Sequence, residues 1–442
     1  MYKRKIYEKM LAWKQENAGR YALMIEGARR VGKSTIVKKF AENEYDSYIM
    51  INFAEVSETV TRLFNDLSDV DYIFLQLQLQ YNTSLHKRKS VIIFDEVQLC
   101  PKARQAIKTL VGDGRYDYIE TGSLISIKKN VQGIVIPSEE KKLSMYPMDY
   151  EEFKWALGDT ATIPLLRQTY EKRQSLGDGT NQKLIRDFRL YMLVGGMPQA
   201  ITAYLETNDL KKVDDVKREI ISLYEEDFGK IDPSGYLTQL FDSIPAELNK
   251  NRSRYISSRV IGRRRKETVR ELISRMKESR TVLVSYHSND PNTGMSATRD
   301  LDRYKLYVAD TGLFVTLAFK DRDFTDNTLY SKLLSDKLSA NLGYLYENIV
   351  AQMLTADGDE LFYYTISDEE KKKVYEVDFI VQRKSKICPI EVKSSSYRAH
   401  ASFDEFIKKY SERIADKYII YTKDLKTEEN ILYLPVYMTM MI

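Results

Sequence analysis

The sequence predicts an α/β protein whose N-terminal part is a mainly parallel sheet packed between helices. Short apolar runs alternate with helical patterns over residues 1–155, and the first run leads straight into a glycine-rich loop and a helix. From residue 335 the order helix, strand, strand, strand, helix, strand predicts a second α/β unit. Runs this short and this continuously apolar belong to strands covered on both faces.

The N-terminal strands are expected at residues 21–25, 48–53, 91–94 and 116–119. Residues 156–230 read as charged helices, with Gly195, Gly196, Met197 and Pro198 punctuating two of them. Residues 236–285 read as short helices carrying a basic run at 259–266. A turn-rich insert at 288–294 and a strand at 304–308 follow. The C-terminal strands are expected at 361–364, 377–381, 388–392 and 418–421, with a helix over 403–415.

A chain of 442 residues exceeds one ordinary core, so several domains are expected. Its 43% hydrophobic and 30% charged residues suit a folded, water-soluble protein, and a net charge of +4 does not single out nucleic acid. Cys100 and Cys388 lie far apart without CxxC spacing, which implies free thiols in a reducing compartment. With only His86, His287 and His400 besides, a structural zinc site is not expected, and any metal should be a hard cation on oxygen ligands. The charged N-terminus lacks an apolar secretory region, and no run approaches the ~18 apolar residues of a membrane span. The expected location is therefore the cytoplasm.

Gly27, Ala28, Arg29, Arg30, Val31, Gly32, Lys33, Ser34 and Thr35 fit GxxxxGK[ST] between a strand and a helix, which is the context the motif requires. Its glycines let backbone amides wrap phosphate at a helix N-terminus. Lys33 would reach the β- and γ-phosphates of ATP, and Ser34 would ligate Mg2+. The apolar run ending in Asp95 and Glu96 supplies a second Mg2+ contact in Asp95 and a group to polarise the attacking water in Glu96. Thr121, Gly122 and Ser123 follow a third strand, and Ser123 is the expected catalytic contact beside the γ-phosphate. Arg29 or Arg30 could touch phosphate or a neighbouring subunit.

Near the C-terminus, Asp378 lies in an apolar strand pattern and Glu391 and Lys393 share one face of another. With Glu347 on the preceding helix, this constellation resembles the PD-(D/E)xK nuclease core, in which acids hold Mg2+ and the lysine activates water. A solvated acid–lysine pair would look the same in sequence. Arg259, Arg263, Arg264, Arg265, Lys266 and Arg270 lie in a stretch expected to be helical over 256–279. With residues 237–241 and the strand at 304 they could form a winged helix touching DNA, or a protein interface.

Together these motifs make the chain resemble the bacterial and archaeal AAA-type P-loop ATPases that carry a C-terminal domain of uncertain function. The resemblance rests on the P-loop, on residues 94–98 and 121–123, on 145–153, 195–198 and 307–313, and on 345–348, 376–379 and 391–393. It implies ATP binding and hydrolysis. One departure is at residues 137–142, where many relatives have a Gly-Arg pair and this chain has no arginine, so a finger or sensor role there is in doubt.

The expected division is an AAA-type P-loop ATPase domain at 1–155, a helical lid-like region at 156–230, a winged-helix-like domain at 231–334 and a PD-(D/E)xK, restriction-endonuclease-like domain at 335–442. The leading expectation is a nucleotide-driven switch or motor acting on DNA or a protein. An ATP-gated nuclease and an ATP-dependent signalling or defence scaffold are the alternatives. The sequence permits a monomer or an oligomer.

Overall fold

The computed structural model describes residues 1–122, 137–250, 253–292, 294–320, 330, 333–335, 343–368, 373–394 and 400–442. The chain forms two compact units. One comprises Met1–Tyr146 with Glu278–Arg280, the other Pro147–Lys277 with Thr281–Ile442.

The first unit is built on five parallel strands: β1 (Ala22–Gly27), β2 (Ser47–Asn52), β3 (Ser90–Asp95), β4 (Asp117–Gly122) and β5 (Glu140–Met145), in the order β2-β3-β4-β1-β5. Every residue of β1, β3 and β4 is buried, which is why they read as unbroken apolar runs. Helices Lys33–Glu44, Val70–Tyr81 and Pro101–Asp113 connect the strands. The sequence pattern has no counterpart to β5. Its residues Glu140, Lys141 and Lys142 look like a surface loop, yet it is an edge strand, where charge on the open side discourages pairing with other chains. Phe53, Phe64 and Phe94 meet edge to face with ring centroids 5.2–5.9 Å apart, and they fix β3 immediately before Asp95.

Beside this apolar core lies a buried ionic layer. Arg104 donates two hydrogen bonds to Glu140 at 2.8 and 2.9 Å, and both side chains are only 2% exposed. Glu120 is fully buried near that pair, and neither of its oxygens has a hydrogen-bond donor. Burial, reinforced by the Glu140 charge, raises its carboxyl well above the ordinary range. The folded state therefore holds a proton that the unfolded chain releases near pH 4.5. The stability this group contributes is full below that pH and is lost as pH rises through the raised value. Glu120→Gln keeps the shape and replaces the proton with an amide that can donate to Glu140. Thermal unfolding should show a higher midpoint for this variant at neutral pH, with a gain that grows as pH rises. A lower midpoint at every pH would contradict this reading.

The second unit carries an eight-stranded mixed sheet. Its strands are β6 (Val282–Ser288), β7 (Arg299–Val308), β8 (Phe362–Asp368), β9 (Lys373–Arg383), β10 (Lys386–Val392), β11 (Tyr418–Tyr421), β12 (Lys426–Glu428) and β13 (Ile431–Pro435), in the order β12-β13-β11-β10-β9-β8-β6-β7. The β6–β7 hairpin joins the C-terminal strands through a parallel β6–β8 pairing. The strand at 304–308 thus belongs to the same sheet as Asp378 and Glu391. The basic segment also differs from expectation: its α-helix runs only from Lys266 to Glu278, and apart from a 3-10 turn at Ser257–Arg259 the arginines before it lie in irregular backbone. Gly262 and the clustered like charges of 263–265 interrupt helical propagation.

Several motifs behind the family resemblance are structural. Asp149 caps helix Tyr150–Ala156 and forms a reciprocal capping box with Glu152. Fully buried Asp310 accepts the backbone N–H groups of Gly196 at 2.5 Å and Leu313 at 2.9 Å. A Cβ at Gly196 would fall 2.1 Å from the Met148 carbonyl oxygen, so only glycine fits. Lys217, also buried, donates to the carbonyls of Leu193 and Gly312 and to the Tyr330 hydroxyl. Both cysteines are buried free thiols. Among the described residues no helix is long and apolar enough to cross a membrane.

Candidate nucleotide site and a C-terminal carboxylate cluster

The glycine-rich loop leaves the carboxyl end of β1 and enters helix Lys33–Glu44. A Cβ on Gly27 would lie 2.4 Å from the Met145 carbonyl oxygen of β5, so the loop starts from a contact only glycine allows. Gly32 has φ of 98°, in the left-handed region. Arg30 also has positive φ, at 70°, and is exposed, while Arg29 is half-buried. Between them these residues turn the chain sharply enough to aim successive amides at one point. Thr35 is exposed on the first turn of the helix.

Lys33 is 6% exposed, and its ammonium donates to the carbonyls of Gly27 and Ala28, both at 3.0 Å. Burial pulls its pKa down, and the nearby Glu96 and Asp95 charges oppose that shift. Ser34 Oγ donates to Asp95 Oδ1 at 2.8 Å. Asp95, 3% exposed, also accepts a hydrogen bond from Thr121 Oγ1 at the end of β4. The next residue, Glu96, adopts φ of 54°, and its backbone N–H donates to Thr121 Oγ1 at 3.3 Å. Its carboxylate accepts from Gln98 Nε2. Lys33, Ser34, Asp95 and Glu96 are thus drawn together at the carboxyl ends of β1 and β3. Ser123 lies outside the described residues.

Two oxygens of the kind a hard cation takes, Ser34 Oγ and Asp95 Oδ1, already face each other across one hydrogen bond. The pair fits Mg2+, which the neutral Ser34 hydroxyl and the Asp95 carboxylate would hold through oxygen lone pairs.

Sequence reasoning missed three residues here. Thr121 stands in the same motif as Ser123, but the catalytic role was expected of Ser123, two positions along the chain. Position along the strand was the usable signal, since Thr121 lies at the end of β4, the strand beside β3. Gln98 stands in the same motif as Glu96. Arg4 looks like one more charge in a basic N-terminus. It is instead 7% exposed and donates to the carbonyls of Val31 at 2.9 Å and Tyr146 at 2.7 Å, bracing the loop from behind.

The C-terminal residues also come together, but around a cation of the protein's own. Lys305 of β7 is fully buried and pairs with Glu347 at 2.8 Å and with Glu376 at 2.5 Å. Tyr307 donates to Glu347. Lys393 holds Glu391 at 2.7 Å, and Asp378 accepts the Val392 backbone N–H at 2.8 Å. Burial and the neighbouring Glu391 and Glu347 raise Asp378 well above the usual carboxylate range. Glu391 Oε2 is a buried oxygen without a partner. Among the described residues no group of three or more His, Cys, Asp or Glu is arranged to hold a metal ion. The lysine-filled cluster does not fit a divalent cation in this arrangement. The sequence could not show this, because Lys305 comes from a strand expected in another domain.

Comparison with known families bears on the first of these sites. Residues 19–154 match the model of an AAA domain. Residues 185–323 match a domain of unknown function (DUF8612), and residues 342–438 match another (DUF4143). No curated protein matches the chain. Among solved structures, the Walker-type ATPase PABY2304 of Pyrococcus abyssi aligns at 16% identity and a TM-score of 0.45, over 72% of this chain and 96% of that one. Cdc6p of Pyrobaculum aerophilum aligns at 13% identity and a TM-score of 0.23, over 75% of this chain and 93% of that one. PCH-2 of C. elegans aligns at 14% identity and a TM-score of 0.19, over 36% of this chain and 44% of that one. The AAA-domain match and the five-stranded parallel sheet carry the class: the N-terminal unit is an AAA-type P-loop domain.

The Asp95–Thr121 link supplies a direct test of this geometry. Thr121→Val preserves volume but removes the donor to Asp95 and the acceptor for the Glu96 amide. Leaving that amide unpaired should cost about 1–3 kcal/mol of unfolding free energy, measured by denaturant titration. ATP turnover should fall with it. Unchanged stability and turnover would mean that Thr121 does not hold the two acids.

Proposed function

We propose that the protein is a magnesium-dependent ATPase working as a nucleotide-driven switch or motor on DNA or a protein partner. The observation that carries this reading is the Ser34–Asp95 hydrogen bond at 2.8 Å beside the buried Lys33. Residues 27–35 form the phosphate-binding loop, and Lys33 exchanges its two loop carbonyls for the β- and γ-phosphates. Ser34 and Asp95 would hold Mg2+, which neutralises charge on the phosphates when bound. Glu96 orients and polarises the attacking water. Its hydrogen bond from Gln98 and its constrained backbone limit where the carboxylate can point.

Supporting proposals concern the second unit. The order helix Gly343–Ala356, β8, β9, β10, helix Ala401–Tyr410, β11 supports a nuclease-like reading of this layer. We read it as a module kept for packing or binding, because lysines fill its carboxylate cluster. Helices Tyr236–Asp242, Ile244–Asn249 and Lys266–Glu278 followed by the β6–β7 hairpin support a winged-helix reading, and we take residues 156–230 as the lid-like region. Free thiols at Cys100 and Cys388 support a cytoplasmic location.

Steady-state phosphate release tests the reading. Glu96→Gln should lower kcat by about 100-fold or more, the usual contribution of a positioned base, while ATP affinity stays within a few-fold. Lys33→Ala should lose affinity itself. Wild-type turnover in Glu96→Gln would remove Glu96 from the chemistry.

A further inference from the structure

The basic segment of the second unit divides into two populations. On the helix Lys266–Glu278 the cations are neutralised: Lys266 and Arg270 share Asp302 at 3.0 and 2.8 Å, and Arg275 pairs with Glu271 at 2.5 Å. In the irregular segment before the helix, Arg254, Arg259, Arg263 and Arg265 are exposed. Among the described residues no carboxylate pairs with any of them. Arg254 and Arg263 line one cleft of about 400 Å³ together with Arg264, Lys266, Ser257 and Ser258. Among the described residues Asp302 is the only acid on its wall, and both Lys266 and Arg270 already hold it.

The floor of this cleft is rigid. Tyr255 and Tyr304 stack with ring centroids 6.1 Å apart and an interplanar angle of 25°, and the Tyr255 amide donates to the Tyr304 carbonyl at 2.8 Å. Both rings are buried, at 5% and 3% exposure, so neither offers a face to a base. Tyr236 is covered by the Arg264 guanidinium, 4.6 Å from its ring centroid.

We infer that this cleft and the arginines around it form a docking site for the phosphodiester backbone of duplex DNA, read without regard to sequence. Guanidinium groups match phosphate oxygens in pairs, and serine hydroxyls donate to the same oxygens. A single strand would need exposed aromatic faces for stacking, and this cleft has none. An acidic peptide would meet the same charge, but arginines spread from 254 to 265 along an open rim suit a continuous line of phosphates better than a short carboxylate motif. The site identifies the partner left open above and does not depend on ATP hydrolysis.

The test measures fluorescence anisotropy of a mixed-sequence duplex with the full-length protein, without nucleotide and again with Glu96→Gln plus ATP. Failure of the ATPase reading would therefore leave the result interpretable. Wild type should bind, and its affinity should fall steeply between about 50 and 200 mM salt. Arg254→Ala with Arg263→Ala should weaken binding at least ~10-fold and reduce the log–log salt slope by about 1.8, at about 0.9 for each phosphate left without its arginine. Arg275→Ala, which removes a neutralised cation, should bind within about twofold of wild type. An unchanged melting temperature would show that the double variant is folded. The inference is overturned if wild type shows no salt-dependent duplex binding, or if the double variant binds as wild type does. Tighter binding of a single strand or an acidic peptide than of the duplex would overturn it too.

Discussion

The nucleotide site depends on how one buried carboxylate, Asp95, is satisfied. A charged acid at 3% exposure is costly unless donors surround it. Here Ser34 supplies one from the loop helix and Thr121 another from β4. That single side chain ties three neighbouring elements to one point at the end of the sheet. Glu96 inherits its placement from the same knot, since its amide uses the Thr121 hydroxyl that already serves Asp95. Its positive φ is the local strain that goes with such pinning. The phenylalanine trio behind β3 and the Arg4 brace behind the loop hold the surrounding backbone rigid, so the polar atoms keep their separation.

The parts of this arrangement that were legible in the sequence are those set by local chemistry. A glycine-rich loop between an apolar run and a helix, or a buried strand ending in two acids, constrains its own neighbours strongly enough to be read directly. Long-range partners were not legible. β5 carries Glu140, Lys141 and Lys142, and only its pairing with β1 makes it a strand. Arg4 is a surface residue by composition and a buried clamp by contact. Thr121 was visible as part of a motif, but its contacts to Asp95 and the Glu96 amide depend on the pairing of β3 with β4. In the second unit the nuclease-like residues could be picked out one by one. Lys305, which pairs with Glu347, arrives from a hairpin more than forty residues upstream of it.

The balance of charge separates the two interesting surfaces of the second unit. In the carboxylate cluster, Lys305 holds Glu347 and Glu376 and Lys393 holds Glu391, so cations of the protein answer three of the acids. In the loop before helix Lys266–Glu278 the imbalance runs the other way, and arginines outnumber the acids able to answer them. A helix interior would have paired such charges at i, i+4, as Arg275 and Glu271 do. The irregular backbone at 259–265 has no such spacing, so its cations stay available. The expected basic helix forms only over Lys266–Glu278, and the irregular segment before it is the more open surface.

Everything proposed for the first unit requires that Ser34 and Asp95 take Mg2+ together with ATP. Calorimetric titration of a slowly hydrolysed ATP analogue into wild type and Asp95→Asn, with Mg2+ and with chelator, examines that requirement without relying on turnover. Mg2+ should tighten nucleotide binding in wild type, and most of this gain should disappear in Asp95→Asn, while binding in chelator is little changed. An equal Mg2+-dependent gain in both proteins would contradict the assignment.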